Sequence, residues 1–257
     1  MRLLFIRHAD PDYENDSLTF TGEQEAWMLG ECIKDLNPGK IYVSTFGRAQ
    51  KTAEYCLNKL NVEATYCDWL QEFMHCLDVN GNETLINSYN DYEILENGSY
   101  AGRIPWDMLP EAFNKCPDLL DRYKWRETIY AKSGNVLELY DDKVAHLDAL
   151  LAENGYVRDG DIYRCKQGNH DTLTFICHLG ATNALLSHLF NVSPFVTWNY
   201  LCMAPSSVTE VVSEEREKGV VSFRALRIGD VSHLSVHNRK PSFSARFCEC
   251  YEDETRH

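Results

Sequence analysis

The chain alternates short apolar runs with amphipathic helical segments at both ends and loses that alternation between residues 75 and 171. Residues 3–6 make the kind of apolar run that a buried central strand presents. A polar loop over 10–16, with Pro11 in it, leads into a predicted helix with Leu29, Ile33 and Leu36 on one face. Thr21 and Gln24 have capping-box spacing at its start, and Asn37-Pro38-Gly39 ends it. A strand over 40–43, a helix over 48–60 and a strand over 62–66 then give a β-α-β-α-β order. Such an order requires a mainly parallel sheet covered by helices.

The middle stretch holds Trp106, Trp125, many tyrosines and the turn-forming Asn97-Gly98. Within it, Val136, Tyr140, Val144, Leu147 and Leu151 mark an amphipathic helix that Gly155 ends. Asp159-Gly160 reads as a hairpin turn. The first rhythm resumes with a strand over 173–177, a helix over 180–190 and paired strands over 208–212 and 220–226. The expected fold is therefore α/β: a three-layer α/β/α sandwich with a mainly parallel central sheet, one domain over 1–257. Residues 75–171 form a large insertion within it, long enough to carry its own secondary structure and to act as a cap.

A net charge of −14, from 39 acidic and 25 basic side chains, disfavours nucleic acid or an anionic membrane as the main partner. A small phosphorylated substrate is compatible with it only where a few cations are gathered locally. The first apolar run is too short for a secretory signal, and no run approaches the roughly 18–20 residues that span a bilayer, so a cytoplasmic location is expected. Ten cysteines without a C-x-x-C pair read as reduced, structural thiols; the closest pair, Cys248 and Cys250, is two ligands short of a zinc site. No metal and no cofactor are expected, and nothing in the sequence fixes an oligomeric state.

In an open parallel sheet the ligand crevice lies beyond the carboxyl ends of the strands. His8 follows the first strand, Arg48 the second, and His178 the strand over 173–177, so three distant segments can meet in one pocket. Arg48 opposes the dipole of the helix it starts, a placement explained if an anion sits between the two. Each residue alone also has a bland reading: a surface Arg-His pair, a core histidine at a helix start, a solvated carboxylate at Glu72.

Arg7-His8-Ala9 resembles the R-H-G signature of the histidine phosphatase superfamily, the phosphoglycerate mutase-like enzymes. Leu18-Thr19, Gly22 and Ala26 resemble its L-T-x-x-G-x-x-Q-A segment, and Ser44, Arg48-Ala49 and Thr52-Ala53 its S-x-x-x-R-A-x-x-T-A segment. Leu70 and Glu72 match L-x-E; Cys177-His178 with Gly180 is similar to the second histidine segment, and Gly229-Asp230 with Ser232-His233-Leu234 to the C-terminal one. The matches run in chain order and skip only the insertion.

The resemblance implies a metal-independent phosphatase acting on a small phosphorylated metabolite through a phosphohistidine on His8. Arg7, Arg48 and His178 would bind the phosphate, and Glu72, with its pKa raised by burial, would serve as acid and then base. His75, His188 and His233 take structural readings. Aromatic residues of the insertion, among them Tyr89, Tyr92, Tyr100, Trp106 and Trp125, are expected to cover the leaving group and set specificity.

This chain departs from the family pattern in several places. Ala9 stands for the usual Gly, Glu25 for a common Gln, and Met74-His75-Cys76 lies where a Gly is usual. Pro11 occupies a position that is Ser in the mutases, and Asn15 comes one residue late. The competing readings are a cofactor-dependent mutase and, in another class, a non-catalytic phosphate-binding or interaction module.

Overall fold

A computed structural model describes residues 1–242, so Cys248 and Cys250 lie outside the described residues. In chain order the strands are β1 (Arg2–Arg7), β2 (Pro11–Asp12), β3 (Ser17–Leu18), β4 (Lys40–Ser44), β5 (Thr65–Cys67), β6 (Val157–Asp159), β7 (Ile162–Arg164), β8 (Thr172–Cys177), β9 (Val208–Glu217) and β10 (Val220–Asp230). The helices are α1 (Phe20–Cys32), α2 (Gly47–Leu60), α3 (Glu83–Ile86), α4 (Pro110–Lys115), α5 (Ile129–Lys132), α6 (Val136–Glu153), α7 (Leu179–Phe190), α8 (Pro194–Tyr200) and α9 (Ser232–Ser235).

Eight strands form one sheet in the order β5-β4-β8-β1-β9-β10-β7-β6, with β2 and β3 as a separate ribbon. β5, β4, β8 and β1 are mutually parallel, whereas the pairings from β1 outward through β9, β10, β7 and β6 are antiparallel. Alternation along β1 explains the three layers. Leu3 and Phe5 face one way, into a core with Leu147 and Leu151 of α6 and Leu185, Leu186 and Leu189 of α7. Leu4 and Ile6 face the other, against Leu29 of α1 and Ala53 and Cys56 of α2. All four are buried, and each such side chain contributes roughly 1.5–3 kcal/mol relative to exposure.

Several local expectations need correction. The N-cap of α1 is Thr19, whose hydroxyl accepts the Gly22 amide, not Thr21. Thr19 wins because its hydroxyl also donates to Asp10 at 2.6 Å, which ties the helix start to the loop after β1. The third strand starts at Thr65, because Asn61 closes α2 in a left-handed conformation (φ 56°) and a turn must follow. β9 and β10 are longer than expected and carry register shifts.

The hairpin around Gly160 is not part of a separate lobe. β7 pairs with β10 and extends the central sheet, while Tyr156, Tyr163 and Leu151 join the main core. The portion that stands over the carboxyl ends of the parallel strands is therefore the earlier one, from Phe73 to about α5. It has its own core of Phe73, Leu77, Tyr89, Phe113, Trp125 and Tyr130, packed against Tyr140 of α6 and Phe195 and Trp198 of α8. No helix among the described residues is long and apolar enough to cross a membrane. The described cysteines are free thiols, most of them buried.

Candidate active site

Register places the two histidines side by side. β1 and β8 run parallel with Arg7 opposite Cys177, so His8 and His178 leave neighbouring strands at the same level. Their rings lie 5.1 Å apart, centroid to centroid. β4 flanks β8 on its other side, which brings Ser44 within 2.8 Å of Nε2 of His178 and starts α2, with Arg48, next to both.

The backbone around His8 is fixed from every side. Its amide donates to Cys177 O at 2.9 Å, its carbonyl accepts from Ser206 N at 3.0 Å, and the Ala9 amide donates to Thr52 Oγ1 at 3.0 Å. His233 holds Ser206 from behind (Nε2 to Oγ, 2.9 Å), so it ties the C-terminal segment to the sheet. Nδ1 of His8 is 2.8 Å from the carbonyl of Ala9; with the proton on Nδ1, this contact leaves the Nε2 lone pair free. Burial pushes the His8 imidazole well below its ordinary range, and the Arg7 and Arg48 charges push it further. His178 is shifted the same way, first by burial and then by His8 and Arg48. Both rings are therefore neutral at pH 7.

Arg7, His8, Arg48 and Glu72 line a cavity of about 720 Å³. His178 does not line it: the ring is fully buried behind His8 and Phe46, and among the described residues its Nδ1 has no hydrogen-bond partner. Glu72 sits at the start of α7. Oε2 accepts the Gly180 amide at 2.8 Å, and Oε1 accepts the Ala181 amide at 2.9 Å and its neighbour Phe73 N at 3.1 Å. Three backbone donors replace the apolar burial that the sequence led us to expect around this carboxyl. The N-terminus of α7 explains the first two, since its first amides have no partner within the helix.

Sequence reasoning missed the loop between β2 and β3 and most of the far wall. Asp16 reaches Arg48 Nη1 at 2.5 Å and accepts the Gly47 amide at 2.6 Å. Tyr13 lines the cavity beside it, with the Arg48 guanidinium 5.4 Å from its ring centroid. Asn15 is exposed and hydrogen bonded to Asp12. Opposite the arginines, the wall is made by His75, Arg103, Ile104, Trp106 and Asp107. Of the aromatic residues expected over the leaving group, only Trp106 lines the cavity. Tyr89 and Trp125 are core, and Tyr92 packs on Tyr100 with centroids 4.4 Å apart.

Two departures from the family pattern have visible solutions. Ala9 has no left-handed backbone and packs its methyl against Leu18 and Ala26. His75 adopts a φ of +48°, the conformation that a glycine takes without strain, and its Nδ1 is 2.9 Å from Gly102 O. Among the described residues no group of three or more His, Cys, Asp or Glu side chains is arranged to hold a metal.

Comparison with known proteins agrees with this architecture. A family model described as histidine phosphatase superfamily (branch 1) matches residues 3–113. A protein of Citrobacter koseri named as a probable phosphoglycerate mutase, GpmB, is 29% identical over 116 residues, 41% of this chain and 54% of that protein. The chain thus spans about half the length of the curated relatives it matches. Among solved structures, a mycobacterial glucosyl-3-phosphoglycerate phosphatase superposes with a TM-score of 0.54 at 15% identity, over 88% of this chain and 97% of that one. A phosphoserine phosphatase of Entamoeba histolytica, crystallised as a mutant with phosphoserine, gives 0.55 at 16% identity, over 91% and 98%. At these identities the likeness is one of fold.

Proposed function

We propose that the chain, whose residues 3–113 match the histidine phosphatase superfamily, is a phosphatase of that superfamily that hydrolyses a small phosphorylated metabolite through a phosphohistidine on His8. The observation that carries the reading is the state of His8: neutral, with Nδ1 against the Ala9 carbonyl and Nε2 available in a cavity that Arg7 and Arg48 line with it. Nε2 attacks phosphorus, the ester P–O bond breaks, and the leaving oxygen takes a proton held on Glu72. Water then attacks the phosphohistidine, gives its proton to Glu72 and releases inorganic phosphate with His8 restored. Arg7 and Arg48 spread the charge of the equatorial oxygens, and His178 supports the His8 ring and the bound anion from behind. Side chains fill every role, so we propose a metal-independent reaction; exhaustive chelation is expected to leave the rate unchanged.

The position of Asn15, exposed and turned to Asp12, supports hydrolysis over the mutase reading, since the family's mutases use a Ser and an Asn soon after R-H-G. The matched relatives favour a second reading, a phosphoglycerate-type mutase that returns the phosphoryl group to a bound intermediate. The deciding experiment is a screen of phosphorylated metabolites for phosphate release, with His8→Ala as the control and an acid-labile phosphoryl group sought on quenched enzyme. Full activity in His8→Ala sinks the mechanism. Labelled phosphate retained in a phosphorylated product marks a mutase.

A further inference from the structure

Lys143 is the one lysine among the described residues that the fold buries, only 2% exposed on the inner face of α6. A lysine without solvent needs either acceptors for its three protons or a nearby negative charge. Among the described residues it finds a single acceptor, the carbonyl of Trp69 at 3.1 Å, and it lies over the face of Phe73 at 4.9 Å. Trp69 and Phe73 bracket Glu72 in the chain, so both contacts grip the turn that carries the carboxylate. Burial lowers the ammonium from the usual lysine range, while Glu72 is the largest influence holding it up, followed by Asp142 of α6, Cys177 of β8 and Cys76 of the cap. The same cation acts on His178 at the start of α7, against its protonation.

We infer that Lys143 is a positioning residue for the reaction: a buried cation that fixes the turn bearing Glu72 through the Trp69 carbonyl and the Phe73 ring and offsets the charge of that carboxylate. The geometry divides the work. The amides at the start of α7 orient the Glu72 oxygens, and Lys143 holds the chain on either side of it and supplies the balancing charge. A lysine that merely filled space would be replaced at no cost by an apolar side chain of its length. One that acts through its charge changes the pH dependence of the step in which Glu72 takes a proton from water.

The inference rests on the acid–base reading of Glu72, and the test separates the two. The pH dependence of kcat is measured with saturating p-nitrophenyl phosphate for the native protein, Lys143→Met, Lys143→Gln, Lys143→Arg and Glu72→Gln, with thermal unfolding of each. Lys143→Gln keeps a donor for Trp69 O without the charge, and it decides the question where Lys143→Met fails to fold. Loss of the positive charge favours the protonated carboxyl. The acid limb of kcat is therefore expected to move up by roughly 0.5–1 pH unit in both neutral variants, with the rate on the descending limb falling about 3- to 10-fold. Lys143→Arg restores the native limb. An acid limb unmoved in Lys143→Gln, beside one abolished in Glu72→Gln, overturns the role of Lys143 alone. An acid limb that survives in Glu72→Gln means that the reading of Glu72 itself has failed.

Discussion

The carboxylate of Asp16 lies 2.5 Å from Nη1 of Arg48 and accepts the amide of Gly47 at 2.6 Å, so the chain itself supplies the anion that this helix start requires. The sequence asks for an anion between Arg48 and α2 and suggests a bound one; the structure places an aspartate there. A substrate phosphate would share Arg48 with Asp16 or displace it. The Asp16 side chain is 45% exposed, which limits the pair to about 0–1 kcal/mol and makes displacement feasible. Asp16→Asn keeps the cap on Gly47 and removes the charge. Its inhibition constant for inorganic phosphate is expected to fall by about 3- to 10-fold, with little change in melting temperature. Weaker phosphate inhibition in this variant would mean that Asp16 aims the guanidinium at phosphate instead of competing for it.

Glu72→Gln keeps an acceptor for the amides of Gly180 and Ala181 but has no proton to give. Formation of the phosphoenzyme from an alkyl phosphate is expected to slow by about 10²- to 10⁴-fold, and from p-nitrophenyl phosphate by far less, because the aryl oxygen leaves with little protonation. Phosphorylation rates before the steady state are the quantity to compare. Equal losses for the two esters would remove Glu72 from the role of acid.

Glu25 occupies a position where the family commonly has Gln, and it is only 3% exposed. Oε2 accepts the Asp10 amide at 3.0 Å and Oε1 the Ser242 amide at 2.9 Å. Burial raises its pKa above 4.5, opposed by those amides and reinforced by Asp10. A raised folded value means that the folded state holds the proton more tightly. Its stabilising effect is complete below pH 4.5 and is lost as pH rises through the folded value. Glu25→Gln retains an acceptor for an amide and never ionises. It is expected to raise the melting temperature at pH 8 by about 2–4 °C, equivalent to a gain on the order of 1 kcal/mol, and to give little gain at pH 4.5. Equal gains at both pH values would show that charge is not the cause.

His233 is the opposite case. Burial lowers it to about 4, with Asp230 raising it and His237 lowering it further. Its contribution is therefore fully present above pH 6.5 and is lost as pH falls through about 4, up to a few kcal/mol over that window. Urea midpoints measured from pH 7.5 to 4.5 should fall, and fall less steeply in His233→Gln. Identical slopes would place the acid sensitivity elsewhere, with His8 and His178 as the remaining buried imidazoles that are lowered in the same way.

Periodicity made the strands and main helices legible, because alternation along β1 and the stripe of α2 each bury one defined face. The closeness of His8, Arg48 and His178 followed from parallel pairing, although His178 stays behind the cavity that the other two line. Asp16 was hidden because a short polar loop has no period, and its left-handed φ of 44° is available to many sequences. The far wall was hidden for a different reason. Arg103 is set by backbone pairing with Leu77, a single bridge between irregular segments, and no local pattern announces such a bridge. The hairpin around Gly160 was seen as a hairpin, but its pairing with β10 depends on a strand more than fifty residues later.

Gly180 packs against both Trp106 of the 73–132 segment and the Glu72 carboxylate. It is the second residue of α7, and its amide holds Glu72. A methyl group built on it would lie 2.2 Å from Cη2 of Trp106 and 2.6 Å from Oε1 of Glu72, both far inside contact distance. The indole of Trp106 thus rests on the helix start where only a hydrogen can fit; it lines the cavity and packs perpendicular to Phe73 and tilted against Trp198. Gly180→Ala must push out the ring, the carboxylate, or both. Its turnover of an alkyl phosphate is expected to fall by about 10- to 100-fold, beyond any gain in helix propensity. Trp106→Ala removes the obstruction and opens the wall, and it should change the ranking of phosphorylated substrates more than the rate on p-nitrophenyl phosphate. The double variant separates the two effects. If displacement of the ring is the main harm, Gly180→Ala in the Trp106→Ala background should cost little more than Trp106→Ala alone, a coupling of roughly 1–3 kcal/mol. If the two losses multiply, the methyl acts on Glu72 directly and the indole has no part in placing the carboxylate.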